Sequence, residues 1–187
     1  VVTTNPELKD GIAMSIENKV AIITGGARDI GRAVSETLAA QGARVVVNYR
    51  SSPEAGAATV DTIKGAGGEA LGTNLDVRST DSIQSFLDAA EDAYGPIDVV
   101  INNAGVEAGA KTYMMIDEED WDFVMETNLK SAWLMAKFYT ERVVKNAQPG
   151  GNIINISSIT DTRTIKGQFP YAVSKGALTR MTEILAL

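Results

Sequence analysis

In the stretch "YAVSK", Tyr171 and Lys175 stand four residues apart, so on a helix they share one face. A free phenol keeps its proton up to about pH 10, and an ammonium beside it favours the phenolate. Such a pair could give and take a proton near neutrality. The pairing matters because the 187-residue chain has no histidine and no cysteine, so the usual proton carrier and the most reactive nucleophile are both missing. On their own, a tyrosine and a lysine at this spacing are equally ordinary helix residues.

Four other places carry polar groups where chemistry could sit. "TGGARDIGR" runs from Thr24 to Arg32, between a strand-like run and a helix-like run. Glycines there would let the backbone approach a pyrophosphate, and the helix N-terminus would offer free N–H groups. The spacing also suits a tight connection that binds nothing. "NNAG", from Asn102 to Gly105, closes another strand-like run; it could serve a ligand over the strand ends or simply turn the chain. Asn128 falls inside a helical pattern, as an exposed filler or as a kink. Ser158 follows a strand in "NISSIT", a common place for a turn serine.

The elements that must hold these residues alternate along the chain. "KVAIIT", "RVVVNY", "EALGTNLDV", "PIDVVINN" and "NIINIS" read as strands. Between them lie helical patterns. "IGRAVSETLAAQG" puts Ile30, Val34 and Leu38 on one face, and Gly42 stops it. "SSPEAGAATVDTIKGAGG" has a serine cap and Pro53 in its first turn. "STDSIQSFLDAAEDAYG" is a capped helix, Asp117–Asn146 reads as one long helix, and a last helix starts at Tyr171. Strand–helix alternation of this kind predicts an α/β fold, a doubly wound parallel sheet, in one domain over 15–187. Residues 1–14 have no clear period and are set apart as an N-terminal extension.

Composition narrows the classes. With 44% hydrophobic and 22% charged residues the chain can bury a core. A net charge of −7 without a basic run argues against nucleic acid and anionic membranes as partners. No disulfide is possible, and without histidine or cysteine a zinc or copper site is not expected. The apolar runs are strand-sized, and the expectation is a cytoplasmic protein.

In order and spacing, "TGGARDIG", "NNAG", Asn128, Ser158 and "YAVSK" resemble the short-chain dehydrogenase/reductase family from about Lys19 onward. The resemblance implies a Rossmann-like sheet with a nicotinamide dinucleotide across the strand ends. Gly25, Arg28, Ile30 and Gly31 would meet its phosphates and adenosine ribose, Asp76 and Val77 its adenine, and Asn103, Ala104 and Gly105 its nicotinamide side. At the end of the second strand, where NAD-preferring relatives carry an acid, the chain has Tyr49 and Arg50. With Arg28 these suit a 2′-phosphate, so NADP(H) is expected, with NAD(H) as an alternative.

The resemblance also implies roles. Tyr171 is the general acid in reduction and the base in oxidation, Lys175 assists it and binds the nicotinamide ribose, Ser158 hydrogen-bonds the substrate oxygen, and Asn128 holds a water leading from Lys175. The substrate is a small carbonyl compound or alcohol. "VVVNYRSS", "INNAGVE", "PYAVSKG" and "MTEILAL" are most similar to glucose 1-dehydrogenases and 3-oxoacyl-carrier-protein reductases. A homodimer or homotetramer through the two long helices is implied, with Trp133, Met135, Phe138 and Met181 on their exposed faces. A non-catalytic NAD(P)-binding redox sensor is the other reading.

Two departures stand out. Asp29 occupies a position where the family usually has glycine; it is expected to disfavour phosphate while capping the helix that starts at Ile30. The sequence also stops at Leu187, short of the family's last strands and substrate loop, which predicts a fragment inactive by itself.

Overall fold

The computed structural model describes residues 15–163 and 165–187; the proposed extension over 1–14 lies outside the described residues. Five parallel strands form one sheet in the order β3-β2-β1-β4-β5: β1 Val20–Ile23, β2 Arg44–Tyr49, β3 Glu69–Asn74, β4 Val99–Asn102 and β5 Asn152–Asn155. The predicted doubly wound parallel sheet is therefore present. Helices α1 Asp29–Ala40, α2 Pro53–Gly65, α3 Thr80–Tyr94, α4 Glu118–Met125, α5 Ser131–Lys145 and α6 Phe169–Leu185 complete the fold.

The central strands β1, β2 and β4 carry apolar runs because both sheet faces are covered there, while the edge strands β3 and β5 are only partly buried. Along β1 the residues alternate between two cores. Val20 and Ile22 join Val46 and Val100 beneath α3 and α5, with Ile83, Phe86, Leu87, Met135 and Phe138. Ala21 and Ile23 join Val45, Val47 and Ile101 beneath α1 and α2, with Ala39 and Ile63. Burying each Val, Ile, Leu or Phe contributes about 1.5–3 kcal/mol, so the sheet centre is the rigid floor of the molecule.

Three expectations about helices need correction. In α1 the buried line is Gly31, Ser35 and Ala39, and Ile30 is 62% exposed. Glycine at 31 lets the helix lie against the turn before it, Val34 and Leu38 of the expected face pack half-buried against the core, and only Ile30 is left outside. The long predicted helix is interrupted by a π-helical turn over Glu126–Lys130 between α4 and α5. Of the proposed interface residues, Met135 and Phe138 are buried in the core under α5, so they cannot offer exposed apolar surface; Trp133 remains 47% exposed. The last helix begins at Phe169, two residues before Tyr171, with Pro170 in its first turn.

Candidate active site

The sheet reverses its strand order at β1, between β2 and β4, the place where open α/β sheets bind ligands beyond their carboxyl ends. Thr24 ends β1 there. Its Oγ1 accepts from the N–H groups of Asn103 (2.9 Å) and Ala104 (3.0 Å), while Asn103 Nδ2 donates to the carbonyls of Thr24 (3.0 Å) and Gly25 (3.2 Å). Asn48 Oδ1 accepts from the Gly25 N–H at 2.7 Å, and Asn48 Nδ2 reaches the carbonyls of Tyr49 and Leu75. These bonds tie the glycine turn to both neighbouring strands.

Sequence reasoning did not single out Thr24 or Asn48. Asn48 gave a signal: a polar residue in the apolar run "VVVNY", 3% exposed in the fold.

The turn leaves room only for glycine at two points. Gly25 has φ 64°, and a Cβ on Gly31 would lie 2.2 Å from the Gly25 carbonyl oxygen. Above this turn opens a cleft of about 300 Å³. Gly25, Arg28, Asp29, Ile30 and Gly31 form one wall, Tyr49, Arg50, Ser51 and Ser52 rim one end, and Asn103, Ala104, Gly105 and Val106 continue toward the other. Leu75 and Val77 also line it.

Asp76, expected beside Val77, directs its carboxylate to Arg78, which contacts it through Nε (3.2 Å) and a terminal nitrogen (3.0 Å). The hydrogen bond from Arg78 holds the Asp76 carboxyl below its ordinary pKa, with a smaller contribution from Arg50.

Asp29 does not cap α1. The N-cap residue is Arg28, with no side-chain cap bond, and Asp29 is the first helical residue, in the left-handed region at φ 49°. No side-chain bond caps the N-terminus of α1, which overturns that expectation.

The second half of the site sits on the π-turn, on the loop after β5 and on α6. Asn128 is 2% exposed, so it is no surface filler. Its Nδ2 donates to the Val106 carbonyl (2.9 Å) and to Ser174 Oγ (3.0 Å), and Oδ1 accepts from the Val106 N–H (2.8 Å). Ser174 Oγ donates to the Tyr171 carbonyl at 2.7 Å.

Lys175 is 3% exposed; its Nζ donates to the Ile156 carbonyl at 2.7 Å and lies 5.7 Å from the centre of the Tyr171 ring. Burial pushes the Lys175 ammonium below its ordinary pKa. Lys175 Nζ and Asn128 Oδ1 both lie 3.6 Å from where a Cβ on Gly105 would stand. Asn128, Lys175, Tyr171 and the "NNAG" loop thus converge.

Ser158 Oγ accepts from the Thr160 N–H (3.2 Å) and hydroxyl (3.0 Å). Its neighbour Ser157 bonds the Lys175 carbonyl (3.2 Å) and Thr179 Oγ1 (2.7 Å), which fixes this loop to α6.

Residues 19–187 match the family model described as short chain dehydrogenase. The chain belongs to that family. Glucose 1-dehydrogenase 2 of Bacillus subtilis (strain 168) is 36% identical over 172 residues, 92% of this chain and 66% of that protein. The 3-oxoacyl-acyl-carrier-protein reductase FabG of Escherichia coli (strain K12) is 38% identical over 173 residues, 92% of this chain and 68% of that protein. This short-chain dehydrogenase therefore spans about two thirds of the length of these curated relatives. A metagenomic short-chain oxidoreductase crystallised in complex with NADP superposes with a TM-score of 0.85 at 32% identity, covering 92% of this chain and 76% of that one. Among the described residues, no helix is long and apolar enough to cross a membrane.

Proposed function

We propose that this chain is the cofactor-binding and proton-transferring part of an oxidoreductase that interconverts a carbonyl and an alcohol with NADP(H). The observation that carries the reading is the buried Lys175 ammonium, held by one backbone carbonyl beside the Tyr171 ring. A buried lysine without a carboxylate partner costs stability, and its place next to a phenol gives that cost a use.

The cleft suits a dinucleotide. The glycines at 25 and 31 let backbone and ligand approach closely, and α1 begins on the wall of the cleft, where a helix N-terminus would offer free N–H groups. Arg28, Arg50, Ser51 and Ser52 supply cationic and hydroxyl donors of the kind a 2′-phosphate takes. The NADP-bound relative supports the same cofactor. When bound, the nicotinamide ring supplies or receives the hydride.

The chain's own residues handle the proton. In reduction the Tyr171 phenol gives its proton to the carbonyl oxygen, and in oxidation the phenolate takes it from the alcohol. Lys175 Nζ uses one of its three donors on Ile156 and keeps two for the Tyr171 side and a ribose hydroxyl. Ser158 Oγ already accepts two bonds from Thr160. Its own hydrogen is left to donate to the substrate oxygen as charge develops. Asn128 spends both amide hydrogens on Val106 and Ser174, so a water on it would donate to the second lone pair of Oδ1.

An aldose and a 3-oxoacyl thioester are the substrates to test first, because the relatives' names point to them. Pairing with a second copy through the α4–α5 and α6 faces, where Trp133 is exposed, belongs to the same reading, as does a cytoplasmic location.

The test, made on the whole oxidoreductase of which this chain is part, is NADPH and NADH absorbance with a panel of aldoses, ketones and 3-oxoacyl thioesters, beside a Tyr171→Phe control. Turnover on one class that falls at least about a hundredfold in the control is the expected result. Tight NADPH binding without turnover on any class would favour a redox-sensing role instead.

A further inference from the structure

Asp29 carries two costs at once. It stands at φ 49°, a region that glycine enters freely and other L residues enter at a penalty. It also places a carboxylate on the wall of the cleft proposed above for an anionic ligand. Within α1 the return is limited to the favourable place of a negative charge in the first turn, since no side chain caps the N-terminus. Strained residues of this kind collect at functional sites.

Around the same cleft, Arg28 and Arg50 supply positive charge. Unopposed, two arginines and a helix N-terminus would hold a cofactor with a 2′-phosphate much more strongly than one without it.

We infer that Asp29 is a specificity-determining residue of the cofactor cleft. It acts as a counterweight to Arg28 and Arg50 that loosens dinucleotide binding, falls hardest on the more highly charged NADPH, and so narrows the preference for NADPH over NADH. The inference rests on the NADP(H) reading of the cleft. The carboxylate acts through charge, from the wall of the cleft.

Two variants separate charge from strain. Asn tolerates left-handed backbone almost as well as Asp and has nearly the same shape, so Asp29→Asn removes only the charge. Asp29→Gly removes both. Fluorescence titrations with NADPH and with NADH, at low and high salt, are combined with melts of the ligand-free protein.

Asp29→Asn is expected to tighten NADPH about fivefold or more and NADH by less. The gain should shrink at high salt, and the melting temperature should fall slightly because the first turn of α1 loses a favourable negative charge. Asp29→Gly should tighten both and also raise the melting temperature. If wild type binds both cofactors and Asp29→Asn binds them no more tightly, this inference is overturned and the proposed function stands. If wild type binds neither cofactor, the two fall together.

Discussion

Asn128 pairs with both backbone groups of Val106, accepting from its N–H at 2.8 Å and donating to its carbonyl at 2.9 Å. A side-chain amide is here the partner of a peptide unit, so the loop that follows β4 is held as a strand would hold it. The π-turn makes this pairing geometrically available. It widens the helix by one residue at Glu126–Lys130 and turns Asn128 inward. The remaining donor goes to Ser174, and Ser174 goes to the Tyr171 carbonyl. One side chain therefore fixes the far wall of the cleft to the first turn of α6.

Asn128→Asp tests that arrangement with almost no change of shape. The variant loses two donors, leaves the Val106 carbonyl facing a carboxylate oxygen, and buries a charge. A loss of about 2–4 kcal/mol in urea unfolding is expected, from an unsatisfied buried acceptor and an unpaired charge. Stability within about 0.5 kcal/mol of wild type would show that the amide pairing holds nothing in place.

Lys175→Met removes a buried ammonium and keeps the length of the side chain. Since burial lowers the Lys175 pKa in the folded state, the folded protein binds fewer protons than the unfolded chain between the folded value and about 10.4. Wild-type stability therefore gains from this site as pH rises through that window, and the full penalty is present below it. The methionine variant lacks this penalty at every pH. Its unfolding free energy, relative to wild type, should be most favourable near neutrality and decline toward pH 10, while any turnover falls at least about a hundredfold. A stability difference that does not vary between pH 7 and pH 10 would refute the assignment.

Much of this was legible in the sequence, and the limits have physical causes. The three central strands β1, β2 and β4 are short, β-branched and buried on both faces, so each announces itself without its neighbours, while β3 and β5 at the edges are only partly buried. "YAVSK", "NNAG" and the glycine turn are local signals whose spacing survives folding. The π-turn was not legible, because the bonds of Asn128 to Val106 and Ser174 span 22 and 46 residues. Asp29 misled for a related reason: aspartate before a helix usually caps it, and only the bond from the Arg32 N–H to the Arg28 carbonyl shows that the helix has already begun. Met135 and Phe138 misled because a helix between a sheet and its neighbours buries more than one stripe. Thr24 and Asn48 act through backbone groups of other strands; the polar Asn48 inside "VVVNY" marked its position but not its partners.

Arg50→Ala addresses cofactor choice directly. Arg50 rims the cleft just before Ser51 and Ser52, and its charge is felt at Asp76. A charge-assisted bond to a 2′-phosphate contributes roughly 1.5–3 kcal/mol, and solvent screening at this exposed site favours the lower end. NADPH should weaken about tenfold in calorimetric titration, with NADH nearly unchanged. Equal losses for the two cofactors would place Arg50 away from the 2′-phosphate.

Thr127→Val should stabilise the ligand-free protein. Thr127 lies in the π-turn, lines the cleft and is 4% exposed, and its hydroxyl oxygen finds no hydrogen-bond partner. A threonine within a regular helix commonly donates to the carbonyl four residues earlier. Ser131 does so to the Thr127 carbonyl at 2.6 Å, whereas the Thr127 hydroxyl makes no such bond. Valine has the same branched shape and no hydroxyl to desolvate, so the exchange removes a buried unsatisfied group without opening a cavity. A gain of about 1 kcal/mol is expected, or roughly 2–4 °C in melting temperature for a domain of this size. A lower melting temperature would mean that the hydroxyl has a partner in solution, such as a bound water between the π-turn and the cleft. The same melts repeated with saturating NADPH separate the two contributions. If the variant gains stability alone but loses that gain when the cofactor is present, the hydroxyl is used by the complex and not by the free protein.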